Sequence, residues 1–251
     1  GTPKGVCLGA AAMLDVARHF FSVDDVKAYI DDIAVLKLNH LHLHLSDDQG
    51  WRLEILSRPE LTRLRATTQV GGAGGRDGLF YTQDDYREIV AHAASRFVTI
   101  VPEIDMPGHT NAAIVAYPQL GDSPAEPYEG IEVGFSSLKI GSEETYAFVE
   151  DVLREVATLT PGPYLHLGGD ESLATSDEDF LAFIARATAI ATRFGKTLIG
   201  WHEMGRSREL PTGTVGQYWS YTTPQEGAAE HTLSFVEQGG AVILSPADVA
   251  Y

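Results

Sequence analysis

The stretch that most constrains what this chain can fold into is Tyr164-Leu165-His166-Leu167-Gly168-Gly169-Asp170-Glu171-Ser172. Residues 164–167 carry the apolar, β-compatible pattern of a short buried strand. The glycine pair then removes side chains where the backbone must turn tightly, and two adjacent carboxylates follow at once. Loops held at the end of a rigid strand aim side chains into a cleft, which is where α/β folds build their sites. Taken alone, the motif also fits a solvated turn with two surface acids, or Asp170 acting as a helix N-cap. What separates these readings is whether a strand followed by a loaded loop recurs along the chain.

It recurs upstream. Residues 41–45 alternate Leu-His-Leu-His-Leu and run into the polar loop Ser46-Asp47-Asp48-Gln49-Gly50-Trp51, and residues 98–103 run into Ile104-Asp105-Met106-Pro107-Gly108-His109. Further strands are predicted over 13–18, 197–201, 215–219 and 241–244. Ser22 with Asp25, Thr82 with Asp85 and Ser176 with Asp179 are capping signals for helices reaching about residues 36, 96 and 194. A fourth helix is predicted over 142–158, and residues 58–79 read as a long irregular loop. Strands separated by helices imply parallel pairing. No glycine-rich phosphate fingerprint follows the first strand, and polar residues sit at nearly every strand end, so the fold expected is an α/β (β/α)₈ TIM barrel in place of an open doubly wound sheet. Seven strands are found where eight close a barrel. The expectation is that the last strand and the following segment are missing from this chain, with the edges of the first and seventh strands exposed.

Charge narrows the partners. A formal net charge of −17 argues against nucleic acid and anionic membrane surfaces, and no apolar run approaches the roughly 18 residues of a bilayer span. A neutral substrate remains compatible. Cys7 is the only cysteine, so no internal disulfide can form. Residues 1–12 do not read as a signal peptide.

Adjacent strand residues point to opposite faces, so Asp170 and Glu171 read as an acid and its helper unless the turn rotates one of them. Glu171 is the better proton donor on reach, and an aromatic pocket built from Trp51, Trp201 and Trp219 would raise its pKa, although each tryptophan taken singly reads sooner as core than as site. Two rival readings stay open. His42 and His44, with His109, His166 and Asp105, could form a metal-dependent amidohydrolase centre, although the pair His42-x-His44 falls inside the barrel wall. The chain could also be a non-catalytic glycan-binding module. Glu103 and Asp105 are read as acceptors for loop backbone donors, and Asp48 as structural.

Six segments together resemble the N-acetylhexosaminidases of glycoside hydrolase family 20. They are Met13-Leu14-Asp15-Val16-Ala17-Arg18-His19-Phe20-Phe21, His42-Leu43-His44-Leu45-Ser46-Asp47-Asp48-Gln49-Gly50-Trp51-Arg52, Val101-Pro102-Glu103-Ile104-Asp105-Met106-Pro107-Gly108-His109, His166-Leu167-Gly168-Gly169-Asp170-Glu171, Gly200-Trp201-His202 and Gln217-Tyr218-Trp219. The resemblance covers residues 13–251 as a partial barrel domain and leaves residues 1–12 as an extension outside it. It implies a (β/α)₈ barrel, no cofactor and no metal. It further implies retaining hydrolysis in which the substrate's 2-acetamido oxygen attacks the anomeric carbon, an exception to the two-carboxylate scheme. By motif, Glu171 resembles the general acid and later base, and Asp170 the residue that orients the acetamido N–H. Asp47 and His109 resemble the polar relay behind the acid, and Arg18 the grip on ring hydroxyls. Trp201 and Trp219 are similar to the acetamido-pocket walls, and Tyr251 to the hydroxyl that meets the acetamido oxygen. An Asp two positions beyond that tyrosine and further pocket tryptophans belong to the family pattern but not to this sequence. The implied partner is an oligosaccharide or glycoconjugate ending in N-acetylhexosamine, and the implied location is secreted or periplasmic.

Overall fold

The structure, a computed structural model, describes residues 9–225 and 227–250. Seven parallel strands follow one another across a single sheet in chain order: β1 (Ala11–Asp15), β2 (His40–His44), β3 (Thr99–Glu103), β4 (Tyr164–His166), β5 (Thr197–Trp201), β6 (Val215–Tyr218) and β7 (Ala241–Leu244). This order decides between the two candidate folds. A doubly wound sheet reverses its strand order at a switch point, whereas repeated βαβ units that never reverse build the wall of a (β/α)₈ barrel. Among the described residues β1 and β7 are not paired with each other, and each has one strand neighbour.

The helices are α1 (Val23–Val35), α2 (Glu60–Arg65), α3 (Gln83–Ser95), α4 (Asn111–Ala116), α5 (Glu143–Leu159), α6 (Asp177–Thr192), α7 (Ala228–Glu237) and α8 (Ala247–Ala250). The Ser22 hydroxyl accepts the Asp25 N–H at 3.2 Å and the Asp25 carboxylate accepts the Ser22 N–H at 3.0 Å, so the first capping box is reciprocal. Thr82 and Asp85 repeat it at α3, and Ser176, not Asp170, caps α6. The sequence pattern missed α2, α4, α7 and α8. The first two are short and have no side-chain cap bond, and α7 starts from Gly227, so none of these three advertises its N-terminus.

Strand alternation sorts the side chains into two layers. Leu41, Leu43, Ile100, Leu165 and Leu198 join Val26, Ile30, Tyr86, Ile89, Val149, Val152, Phe180 and Phe183 of the helices in one apolar cluster. His42, His44, Glu103, His166 and Trp201 alternate with these residues on their strands and are all buried on the other side. In register, Asp15 lies beside His44, His44 beside Glu103, and Glu103 beside His166. One lateral row of the inner wall is therefore made of acids and imidazoles.

Two strand ends differ from prediction in a way that shapes the site. β1 stops at Asp15, because the Asp15 carboxylate accepts the N–H groups of Ala17 and Arg18 at 2.9 Å each and turns the chain out of the sheet. β4 stops at His166, so Leu167 already belongs to the loop.

Candidate active site

The polar row supports a second tier in the loops above it. His44 Nδ1 lies 2.8 Å from Glu103 Oε2, and its Nε2 lies 2.7 Å from Asp47 Oδ2. Asp47 Oδ1 meets His109 Nδ1 at 3.2 Å, and Arg18 Nε meets Asp47 Oδ2 at 2.9 Å. Asp47 and His109 side chains are fully buried, while Arg18 keeps 28% of its side chain exposed and is also held by Asp15 at 3.0 Å. Asp48 is structural, as expected: its Oδ1 accepts the Asn111 N–H at 3.0 Å and the Ser136 hydroxyl at 2.6 Å.

The β4 loop is fastened onto the β3 loop. The Gly169 N–H donates to Asp105 Oδ1 at 3.0 Å, and a Cβ on Gly168 would stand 1.7 Å from that same oxygen. Gly168 and Gly169 have φ of 68° and 97°, which glycine adopts without strain. Glu171 follows with φ of 42°, a left-handed value for a residue that has a Cβ. The turn thereby provides the rotation without which two adjacent carboxyls would point to opposite faces. Neither is on the strand, and the turn brings Asp170 Oδ2 and Glu171 Oε2 each to 3.6 Å from His109 Nε2.

Both carboxyls line a cavity of about 210 Å³ together with Met13, Arg18, His44, Trp201, Trp219 and Ala247. Trp201 Nε1 donates to Glu103 Oε1 at 2.8 Å, and Trp219 Nε1 donates to Glu203 at 3.0 and 3.1 Å. Trp51 takes the core alternative: it is 2% exposed, donates to the Leu53 carbonyl at 2.7 Å and packs edge-on against Phe148. The assignment at Tyr251 lies outside the described residues.

With this geometry in view, the comparison with known proteins is direct. The catalytic domain of Glycosyl hydrolase family 20 matches residues 10–179, well over half of the chain. The chain belongs to glycosyl hydrolase family 20. It is 45% identical over 240 residues to a beta-N-acetylhexosaminidase of Cellulomonas fimi, covering 95% of this chain and 47% of that protein. The GH20 beta-N-acetylhexosaminidase from Streptomyces coelicolor superposes with a TM-score of 0.92 at 50% identity, over 97% of this chain and 49% of that one. A mutant Streptomyces plicatus beta-hexosaminidase solved in complex with product (GlcNAc) gives a TM-score of 0.92 at 49% identity, over 97% and 48%. The chain thus spans about half the length of these relatives.

Electrostatics divide the family 20 site into groups that hold protons and groups that shed them. Burial raises the pKa of Glu171, and Asp170 beside it raises it further, with His109 and Arg18 opposing. Burial and Asp170 push Asp105 well above the carboxylate range, so Asp105 stays protonated where two carboxyls crowd. Burial and the same neighbour raise Glu203 to about 8. Burial alone would raise Asp47, but His109, His44 and Arg18 hold it far below its ordinary value. Burial would strip the proton from His109, yet Asp170 and Asp47 raise it to about 9. The result alternates in sign from the floor upward: Glu103 anion, His44 cation, Asp47 anion, His109 cation.

Three family 20 residues that the sequence reading undervalued matter here. Glu103 serves no loop backbone donor; it is fully buried beneath the site and takes hydrogen bonds from His42, His44 and Trp201. His44 was placed inside the barrel wall, but it reaches the cavity. Arg52 is 0% exposed and donates to the carbonyls of Val16, Ala17, Thr68 and Leu79 at 2.6–3.0 Å, pinning the loop that carries Arg18. Glu103 falls on the same strand face as Val101 and in register with His44, a pairing that only the assembled sheet brings about. His42, Glu103 and His166 come within 4.8 Å of one another, a spacing metal ligands also show, but their atoms already meet in hydrogen bonds such as His42 Nε2 to Glu103 Oε2 at 2.6 Å.

Proposed function

We propose that this chain carries the catalytic centre of a retaining exo-β-N-acetylhexosaminidase that releases terminal β-linked N-acetylhexosamine by substrate assistance. The observation that carries the reading is the convergence of Asp170 and Glu171 on one tryptophan-walled cavity, with His109 Nε2 at 3.6 Å from each. The resemblance to family 20 implies that no second carboxylate attacks the anomeric carbon, an exception to the two-carboxylate scheme. The attacking group then comes from the substrate. The relatives named for β-N-acetylhexosaminidase activity and the GlcNAc held by the Streptomyces plicatus protein support the choice of sugar.

In the first step Glu171 gives its proton to the glycosidic oxygen as the C1–O bond breaks, and the acetamido oxygen bonds to C1 to form an oxazolinium ion. Asp170 accepts the acetamido N–H and faces the positive charge. Its Oδ1 is buried and has no hydrogen-bond partner among the described residues, which suits an oxygen that meets its donor on the substrate. In the second step water adds to C1 as the bond from C1 to the acetamido oxygen breaks, Glu171 takes the water's proton, and the sugar leaves with its acetamido group restored and its configuration retained. Trp201 and Trp219 pack the acetamido group, Arg18 holds ring hydroxyls, and Asp47 with His109 keeps charge and orientation behind Glu171. Tyr251 would supply the hydroxyl to the acetamido oxygen.

The test compares kcat/KM for an N-acetylglucosaminide and a glucoside bearing the same leaving group. Substrate assistance requires the glucoside to be a very poor substrate, since its 2-hydroxyl cannot close the five-membered ring. Comparable turnover of both sugars would return the nucleophile to a protein side chain such as Asp47 or Asp105.

A further inference from the structure

Glu103 sits at the end of β3, under the cavity and not among the residues that line it. Its two oxygens serve different halves of the site. Oε1 accepts the indole N–H of Trp201 at 2.8 Å, and Trp201 is a wall of the cavity. Oε2 lies 2.8 Å from His44 Nδ1 and 2.6 Å from His42 Nε2. From His44 the contacts run through Asp47 at 2.7 Å and His109 at 3.2 Å to within 3.6 Å of Glu171.

We propose that Glu103 is a positioning residue that locks the acetamido-pocket wall and the proton relay behind Glu171 into one geometry. The inference rests on the functional reading above and extends it to a residue that touches no substrate. Trp201 stands on β5 and His44 on β2, with β3 and β4 between them, so no backbone pairing ties one to the other. A single carboxylate from the intervening strand reaches both. The chemistry also explains why a carboxylate is needed. Indole nitrogen can only donate, and His44 and His42 present nitrogens to the same group, so the central residue must be acceptor on both ends. Glutamine has the same size but turns an N–H toward one of the two arms. The wall that presents the nucleophile and the acid that protonates the leaving group act in the same step, and a misplacement of about 1 Å between such groups costs about 10²-fold in rate.

The experiment uses Glu103→Gln in the intact protein, with folding checked by circular dichroism and a thermal melt. Three quantities are measured: kcat and KM on an alkyl N-acetylglucosaminide, the same on an activated aryl one, and the Kd of a thiazoline mimic of the intermediate. The expected result is a fall of about 10²-fold in kcat on the alkyl substrate. That loss should shrink on the aryl substrate, which needs less help from the acid. Thiazoline binding should weaken by about tenfold through the loosened Trp201, as for a lost charged hydrogen bond. Adding Trp201→Phe to Glu103→Gln should then cost less thiazoline affinity than Trp201→Phe alone, because the tie is already gone. A role in folding only would lower both kcat values by the same factor, leave KM and Kd of the folded fraction unchanged, and make the two substitutions additive; that pattern overturns the proposal. If Glu103→Gln does not fold, Glu103→Asp takes its place. One methylene shorter, it keeps the charge and reaches one arm, so wild-type behaviour in both thiazoline affinity and leaving-group dependence overturns the proposal as well. Failure of the functional reading is told apart by the wild type: a wild-type protein that hydrolyses the glucoside as well as the N-acetylglucosaminide removes that reading, and this inference with it.

Discussion

Two concave regions of the molecule are lined by similar chemistry and differ in what surrounds it. One is a depression of about 660 Å³ on the outer layer between α5 and α6, where Arg186 pairs with Glu143 at 2.7 Å and Arg193 with Glu150 at 3.0 Å, beside Tyr146. The other is the cavity of about 210 Å³ at the strand ends, where Arg18 pairs with Asp47 at 2.9 Å beside Trp201 and Trp219. Pair distances are alike, but Glu143 is 83% exposed and Asp47 is not exposed at all. Water screens the outer pairs to little net effect, while the inner charges act on one another in a low dielectric and shift one another's proton affinities. Size does not mark the site. The capacity to hold a proton on one group and remove it from its neighbour does.

The sharpest test of that contrast is Glu171→Gln, for which kcat on an alkyl N-acetylglucosaminide should fall by about 10²–10⁴-fold, with a smaller loss on an activated aryl glycoside. Equal losses on both would show that Glu171 is not the acid of the first step. Next in size is Arg52→Met, which keeps much of the volume but leaves the carbonyls of Val16, Ala17, Thr68 and Leu79 without their donor. Each buried acceptor so stranded costs about 1–3 kcal/mol, a large share of the roughly 5–15 kcal/mol that holds a domain together. Denaturant unfolding that matches wild type would contradict this.

The pH dependence of stability sets the two signs of shift against each other. His109 is raised to about 9 by Asp170 and Asp47 against burial, so its contribution is complete below 6.5 and is lost as pH rises through 9. Glu203, raised by burial from 4.5 to about 8, contributes fully below 4.5 and loses that contribution as pH rises through 8. His166 is lowered to about 3 and His202 to about 4, both by burial, so their contributions are present above 6.5 and are lost as pH falls toward those values. A Tm profile should therefore fall as pH rises from about 6.5 towards 9, where His109 and Glu203 both lose their protons and no imidazole contribution offsets them. A Tm flat from about pH 5 to 9 would mean that the buried groups do not carry the shifts assigned to them. The smallest effect belongs to the outer depression: Arg186→Ala should leave kcat and KM unchanged, and a measurable loss of activity there would break the contrast between the two regions.

Much of the inner region was legible because its signals are local. Strand alternation, the capping boxes at Ser22 and Thr82, and the Gly168-Gly169 turn each depend on residues a few positions apart, and all appear as expected. Trp51 and Glu103 show where local signals end. Trp51 follows a strand and looks like a pocket wall, but its loop folds it down onto Phe148 of α5. Glu103 looks like a loop acceptor until His42, His44 and Trp201 arrive from β2 and β5. Nothing within a few residues of either position reports those distant partners.

The sequence by itself determined the strand–loop–helix grammar, the parallel sheet and the identity of the residues at the strand ends, because periodicity, turn chemistry and side-chain type are properties of neighbouring positions. Only the tertiary structure decided that Asp170 and Glu171 face the same cavity, since that depends on a left-handed Glu171 held where the β4 loop is bonded to Asp105 of the β3 loop. It alone decided which carboxyls keep a proton. Asp47 and Asp105 are the same residue type, each at a strand end and each fully buried, yet one is held anionic by His109, His44 and Arg18 while the other is held neutral by burial and Asp170. A pKa in a low dielectric is fixed by the charges within a few ångströms, and those neighbours come from strands far apart in the chain.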